Sequence, residues 1–262
     1  MIKIGIIGKG ILGSSIFDFF NKYSKVIVYD KYKKIGSFID VLDCDILFLC
    51  LPTLFNDETK IYNTDEIHSI CKLLSEHNFN KIIILKSTVT PKTTIELNKK
   101  YNLNIIHNPE FLSETTASDD FKNQNHIVLG SETNDYLLKC VEFYKQYFKD
   151  AEISIMSSTE SELMKIAVNN FYSSKLIFFN ELYLLCQEIN ISYETVKDSM
   201  IKNGWINPMH TNVPGKNNKL GFGGMCFPKD TKAYFNFLKE HTKFFKITEA
   251  TVIENDELRK LS

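Results

Sequence analysis

Three groups of residues in this sequence have the types and spacing to do chemistry. The first is a thiol in a glycine turn, Gly221-Phe222-Gly223-Gly224-Met225-Cys226-Phe227-Pro228-Lys229-Asp230. Pro228 marks a helix start, and a thiol at a helix N-terminus has its thiolate favoured by exposed backbone N–H groups. Cys226 is therefore a candidate nucleophile, with an incidental thiol on a surface loop as the alternative. The second group is Gly8-Lys9-Gly10-Ile11-Leu12-Gly13, followed by Asp30 at the end of the next apolar run. In a GxGxxG turn the first glycine allows the bend, the second lets a pyrophosphate approach the backbone, and the third lets helix and strand pack closely. Asp30 is placed to accept from ribose hydroxyls, which favours NAD over NADP, although Lys31, Lys33 and Lys34 lie beside it. The third group is Lys165 and Asn169, which project from one face of a helix. Phe171, Phe178, Phe179 and Leu182 predict that this helix is mostly buried, where an unpaired lysine would be costly.

These groups need elements to position them. Apolar runs at 2–7, 25–29, 46–51, 81–85, 104–107 and 126–129 read as strands, alternating with helical patterns such as 11–23. Continuous apolar strands between helices predict a Rossmann-type, doubly wound parallel sheet covered on both faces. Ligands in such sheets lie beyond the carboxyl ends of the strands, where Pro52-Thr53, Ser87-Thr88 and Asn108-Pro109-Glu110 fall. From Thr159 the pattern changes. Thr159-x-x-Glu162 reads as a capping box, and helical spacing runs unbroken to about Ile189. The expected organisation is a dinucleotide-binding domain over 1–155 and an all-helical central domain with one long helix over 156–262.

Composition bounds the rest. The chain has 262 residues, 44% hydrophobic and 24% charged, with a net charge of −1, which excludes a disordered, collagenous or transmembrane protein. Near-neutral charge offers no electrostatic footprint for nucleic acid or an anionic membrane, so a small, locally bound ligand is expected. The six cysteines show no CxxC and no metal spacing, which points to a reduced, cytoplasmic protein without a metal site. Glycine is scarce, 11 residues where average usage would give roughly 18, and most of it is concentrated in the two turns above.

The cysteine segment resembles the GFGGxCxPKD signature of the UDP-glucose/GDP-mannose dehydrogenase family of NAD-dependent nucleotide-sugar oxidases. The resemblance extends to LPT at Leu51–Thr53, KSTV at Lys86–Val89, NPEFLSE at Asn108–Glu114 and ELMKIAVNNF at Glu162–Phe171, in family order and spacing. It implies Cys226 as catalytic nucleophile, Lys165 and Asn169 as oxyanion donors, and Thr88, Glu114 and Asp230 as further catalytic residues, with Glu114 as the base. Glu110, Phe111, Leu112 and Gly223 would bind substrate. Gly8, Gly10, Ile11, Leu12, Gly13, Asp30, Lys34, Pro52, Thr53, Ser87 and Thr88 would bind NAD.

The implied reaction is a four-electron oxidation of a primary alcohol to a carboxylate through a cysteine thiohemiacetal and thioester, taking UDP-glucose to UDP-glucuronate in a homodimer built on the long helix. Family members continue into a further nucleotide-binding domain that has no counterpart in these 262 residues, and the stretch Gly204–His210 lacks the family's arginine. Two other readings stay open: a two-electron hydroxyacid-type dehydrogenase, whose relatives share the Lys-x-x-x-Asn pair but not the cysteine motif, and a non-catalytic NAD-binding remnant.

Overall fold

The structure, a computed structural model, describes residues 2–132, 135–215 and 218–261. The elements in chain order are β1 (Ile4–Ile7), α1 (Ile11–Phe20), β2 (Val26–Tyr29), α2 (Phe38–Val41), β3 (Ile46–Leu49), α3 (Asp65–Glu76), β4 (Ile82–Leu85), α4 (Thr93–Tyr101), β5 (Asn104–His107), α5 (Ala117–Lys122), β6 (His126–Gly130), α6 (Asp135–Tyr147), β7 (Glu152–Met156), α7 (Ser158–Glu188), α8 (Tyr193–Lys202), α9 (Phe227–His241) and α10 (Lys246–Leu258). Backbone contacts divide the chain into Met1–Leu54 with Tyr62–Lys165, and Phe55–Ile61 with Ile166–Ser262. The division thus falls after Lys165, inside α7, ten residues beyond the end expected for the first domain, and the short segment Phe55–Ile61 groups with the second unit.

The first unit is an α/β layer structure. Its strands form one sheet in the order β2-β1-β3-β4-β5-β6-β7 among the described residues. Side chains alternate across it. Ile4, Ile6, Ile46, Phe48, Ile82, Ile84 and Ile106 join one core cluster, and Ile7, Leu47, Leu49, Ile83, Leu85 and Ile105 the other. This is why the strands read as unbroken apolar runs: both faces are covered. The aromatic residues concentrate on the first face, where Phe19 stacks on Phe148 with centroids 4.8 Å apart and Phe20 on Phe143 at 5.2 Å.

The sheet departs from full parallelism at one place. β6 runs antiparallel to β5 through a single pair, His107 opposite Gly130, and β7 then pairs parallel to β6. The chain between β5 and β6 spends its first residues on the loop carrying Glu110 and Glu114. The six-residue α5 then leads into β6.

The second unit is helical among its described residues. Its cores are Phe179, Cys186, Tyr193 and Val213, and Ile177, Phe222 and Leu258. α7 is only partly as buried as the sequence suggests. Phe179 is buried, but Phe171 and Phe178 are 63% and 51% exposed, because residues seven apart return to the one face of the helix that the unit leaves uncovered.

Lys86, just past β4, is enclosed in the first unit. Its Nζ donates to Asn108 Oδ1 at 2.7 Å, which also accepts from the Tyr144 hydroxyl. Burial pulls the ammonium down to about 8. The unfolded chain therefore binds more protons than the folded one between about pH 8 and 10.5, and this group makes stability rise with pH across that window. Lys86→Met is expected to flatten that rise and to leave melting at pH 7 as high as in the parent or higher, because it removes a buried charge while the Tyr144–Asn108 bond remains. Thermal melts from pH 7 to 10.5 check this; a steeper rise in the variant would contradict it.

Candidate functional site

The glycine turn is built by two close approaches. A Cβ at Gly13 would stand 1.9 Å from the Gly8 carbonyl oxygen, and one at Gly8, whose φ is +93°, would stand 2.4 Å from the Cys50 carbonyl oxygen. Neither position admits a side chain. Gly10, the N-cap of α1, differs: a Cβ there meets nothing within 4 Å. It opens on a cavity of about 440 Å³ lined by Gly10, Ile11, Ser14, Ser15, Lys33 and the run Glu114–Asp119. Leu12 instead packs against the core.

Asp30 is nearly buried and ties the turn to the end of β2. Its Oδ2 accepts from the Lys9 N–H at 2.7 Å and its Oδ1 from the Lys33 N–H at 2.8 Å. Burial works to raise this carboxyl, and the N–H groups of Lys33, Lys9 and Tyr32, with the Lys33 charge, outweigh it and hold it below the ordinary value. The acid is thus ionised and fixed in orientation. Lys34 stands in an exposed left-handed turn, φ +54°, while Lys33 is the lysine that lines the cavity.

Beyond the other strand ends, Ser87 Oγ donates to the Leu51 carbonyl at 2.7 Å and Thr53 Oγ1 donates to the Thr88 carbonyl at 2.6 Å. These bonds lock the Leu51-Pro52-Thr53 turn to the Ser87-Thr88 turn. The residues expected at the cofactor thus fall at the carboxyl ends of β1, β2, β3 and β4 within one unit.

Lys165 lies in the second turn of α7 and is 4% exposed. Its Nζ donates to the Glu110 carbonyl, lies 3.7 Å from Glu110 Oε1 and sits 5.0 Å above the Phe111 ring. Glu110 Oε2 accepts from the Leu112 N–H at 2.6 Å. The loop expected at the substrate is therefore wrapped around this ammonium. Glu114 does not join it and belongs to the cavity at Gly10. The carboxylate beside Lys165 is that of Glu110.

In the second unit, Cys226 is the N-cap of α9, with Pro228 in the first turn, and its carbonyl accepts the first helical bond from the Asp230 N–H at 3.0 Å. Cys44, Cys71, Cys140 and Cys186 are buried and Cys50 is partly so; Cys226 is the exposed thiol. Burial pushes the Cys50, Cys71 and Cys140 thiols up to about 12, so they stay protonated. Asp230 is fully buried. It accepts from Asn169 Nδ2 at 2.6 Å and from Lys229 Nζ at 2.6 Å. Gly223 faces the Arg259 guanidinium.

Two groups escaped the sequence reading. The capping box of α7 is Ser157 with Glu160, whose bonds are reciprocal, and not Thr159 with Glu162. The Glu162 carboxylate turns inward to the Lys92 and Thr94 N–H groups at 2.6 and 2.7 Å. The cavity wall formed by Glu114–Asp119 was also missed, although the hydroxyl-rich run Ser113-Glu114-Thr115-Thr116 was its visible signal.

Together these features describe a nucleotide-binding α/β unit followed by a helical unit that carries an exposed thiol. Residues 34–148 match the UDP-glucose/GDP-mannose dehydrogenase family, NAD binding domain, and residues 159–257 match its central domain. The chain belongs to the UDP-glucose/GDP-mannose dehydrogenase family. UDP-glucose 6-dehydrogenase AglM of Haloferax volcanii is 29% identical over 244 residues, covering 87% of this chain and 56% of that protein. UDP-glucose 6-dehydrogenase of Campylobacter jejuni is 27% identical over 226 residues, covering 83% and 54%. The chain thus spans a little over half the length of these relatives. A solved UDP-glucose dehydrogenase from the archaeon Pyrobaculum islandicum shares the fold, with a TM-score of 0.86 at 22% identity over 98% of this chain and 68% of that one. No helix among the described residues is long and apolar enough to cross a membrane.

The residues present fit NAD: the turn leaves space over Gly10, and an oriented carboxylate stands at the end of β2. Gly10→Ala should melt close to the parent yet bind NAD about tenfold more weakly, because its Cβ projects into the cavity. Gly13→Ala should lose about 3 kcal/mol or more of stability from overpacking against backbone. Melting curves and NAD titrations separate the two; equal effects of both variants on melting would refute the assignment.

Proposed function

We propose that this chain oxidises the primary alcohol of a nucleotide sugar to a carboxylate, with UDP-glucose as substrate and UDP-glucuronate as product. The observation that carries this reading is Cys226, the exposed thiol at the head of α9, in a chain that matches both family domains.

Gly8, Gly10, Gly13 and Asp30 would hold NAD, which accepts one hydride in each of two successive oxidations. The chain's own residues do the rest. The Cys226 thiolate adds to the carbonyl carbon of the aldehyde, forming a C–S bond and leaving an alkoxide. The Lys165 ammonium and the Asn169 amide, one turn apart on α7, donate to that developing charge. At the thioester stage water attacks the carbonyl, the C–S bond breaks and the thiolate leaves. Glu114, which lines the cavity at Gly10 rather than the Lys165 loop, would serve as base by taking the proton from water through Thr88 or an ordered water. Asp230, fixed by Asn169 and Lys229, orients the donors. Glu110, Phe111, Leu112 and Gly223 shape the substrate's surroundings.

The cysteine separates this reading from a two-electron dehydrogenase. Purified chain with NAD and a panel of UDP-glucose, GDP-mannose and UDP-N-acetyl sugars should yield two NADH per molecule of the accepted sugar. Cys226→Ser should keep NAD affinity and lose uronate release; a variant that still forms uronate at the parent rate, with two NADH per sugar, would sink the thioester scheme.

We also propose a homodimer joined through α7. Phe171, Phe178 and Leu185, each more than half exposed, recur every seven residues along it, the spacing of a helix–helix seam. Phe178→Glu is expected to halve the mass measured by light scattering in solution. An unchanged mass would place the contact elsewhere.

A further inference from the structure

The sequence contains a single arginine, Arg259. It is the C-cap of α10 and is half-buried. Its guanidinium lies against the cysteine-bearing loop: a Cβ at Gly223 would stand 3.0 Å from Nη2 and 3.3 Å from Cζ. Nη1 donates one long bond, 3.4 Å, to the Leu220 carbonyl. Among the described residues no carboxylate forms an ion pair with it. A guanidinium offers five N–H donors, and most of these are left over.

The loop backbone supplies a second, independent observation. The Gly221 N–H is held by Asn180 Oδ1 at 2.8 Å and the Phe222 N–H by Asn255 Oδ1 at 2.6 Å. The next three N–H groups, of Gly223, Gly224 and Met225, donate to no acceptor among the described residues. Gly224 and Met225 are exposed, and Gly224 has a φ of +81°. Two asparagines thus fix the start of the loop and leave its next three donors without a protein acceptor among the described residues. Successive free N–H groups form an anion-binding concavity. A planar guanidinium beside them matches the bidentate geometry of a phosphate. The other nearby cation, Lys229, is engaged with Asp230.

We infer that the Arg259 guanidinium and the N–H groups of Gly223, Gly224 and Met225 form a seat for the diphosphate of a nucleoside-diphosphate sugar. This rests on the nucleotide-sugar reading and deepens it, by naming the group that grips the part of the substrate remote from the reacting carbon. Glycine at 223 follows from the same geometry, since a side chain there would displace the guanidinium.

Calorimetric titration of the parent chain, Arg259→Gln and Arg259→Lys with UDP, with inorganic pyrophosphate and with NAD tests the seat. Melting temperature and the rate of Cys226 alkylation by iodoacetamide report on the loop itself. Arg259→Gln should bind UDP and pyrophosphate about ten- to a hundredfold more weakly, as expected for lost charged hydrogen bonds. Arg259→Lys should recover only part of this, with NAD affinity, melting and alkylation rate unchanged. Parent-like UDP affinity in Arg259→Gln overturns the seat and leaves the nucleotide-sugar reading standing. Weakened UDP binding accompanied by lower melting and altered alkylation makes Arg259 a brace for the loop, which also overturns it. A parent chain that binds neither UDP nor pyrophosphate and oxidises no nucleotide sugar brings down both.

Discussion

A carboxylate shut away from water fixes the start of the longest helix. Glu162 is fully buried, and its two oxygens accept from the backbone at the head of α4. Burial pushes this carboxyl up to about 7, against the pull of the Thr94 and Lys92 hydrogen bonds. A helix resting on a sheet can rotate or slide unless something specific sets its phase. Here the phase is set by Glu162 on α4, by the hydrogen bond between Ser161 Oγ and His107 Nδ1 at 2.8 Å, and by Ser158, which donates to Glu132. Lys165 lies one turn further on, so these bonds decide that its ammonium meets the Glu110 carbonyl. The reach of that lysine is a consequence of where α7 is pinned.

The glycine turn follows the same logic at the other end of the unit. Gly8 and Gly13 let backbone meet backbone, and Asp30 binds the turn to the neighbouring strand before any ligand arrives. Ordering these groups in advance removes an entropic cost that would otherwise fall on binding. The carboxylate at the end of β2 is thus also the group that shapes the loop, since Asp30 accepts from both the Lys9 and the Lys33 N–H.

Much of this could be read from sequence, for identifiable reasons. Six of the strands are legible because their runs are apolar: β1, β3 and β4 are buried throughout, and the partly exposed edge strand β2 still reads Val-Ile-Val-Tyr. β7 is not, since its run Glu152-Ile153-Ser154-Ile155-Met156 interrupts the apolar residues with polar ones and all five are partly or fully exposed. Thr159 and Glu162 mimic a capping box because spacing alone does not say which way a carboxylate turns; a contact seventy residues away in sequence drew Glu162 inward. Phe171 and Phe178 look like core residues by type, and only the arrangement of neighbouring helices shows that nothing in the unit covers them. Local chemistry wrote the turns and caps, whereas long-range partners decided which polar groups met.

The single pair between β5 and β6 has a mechanical meaning. A ladder shares load over many hydrogen bonds, but the five-stranded and two-stranded ribbons of this sheet have a single ladder pair, His107 opposite Gly130, backed by the Asn108 Nδ2 bond to the Val128 carbonyl and a shared core. Ser161 bridges that point, bonded to His107 and filling the space where Gly130 has no side chain. The joint is therefore riveted from outside by α7 rather than zipped along its length. With one ladder pair in place of many, the junction of the ribbons rests on side chains, Ser161, Asn108 and the shared core, rather than on backbone.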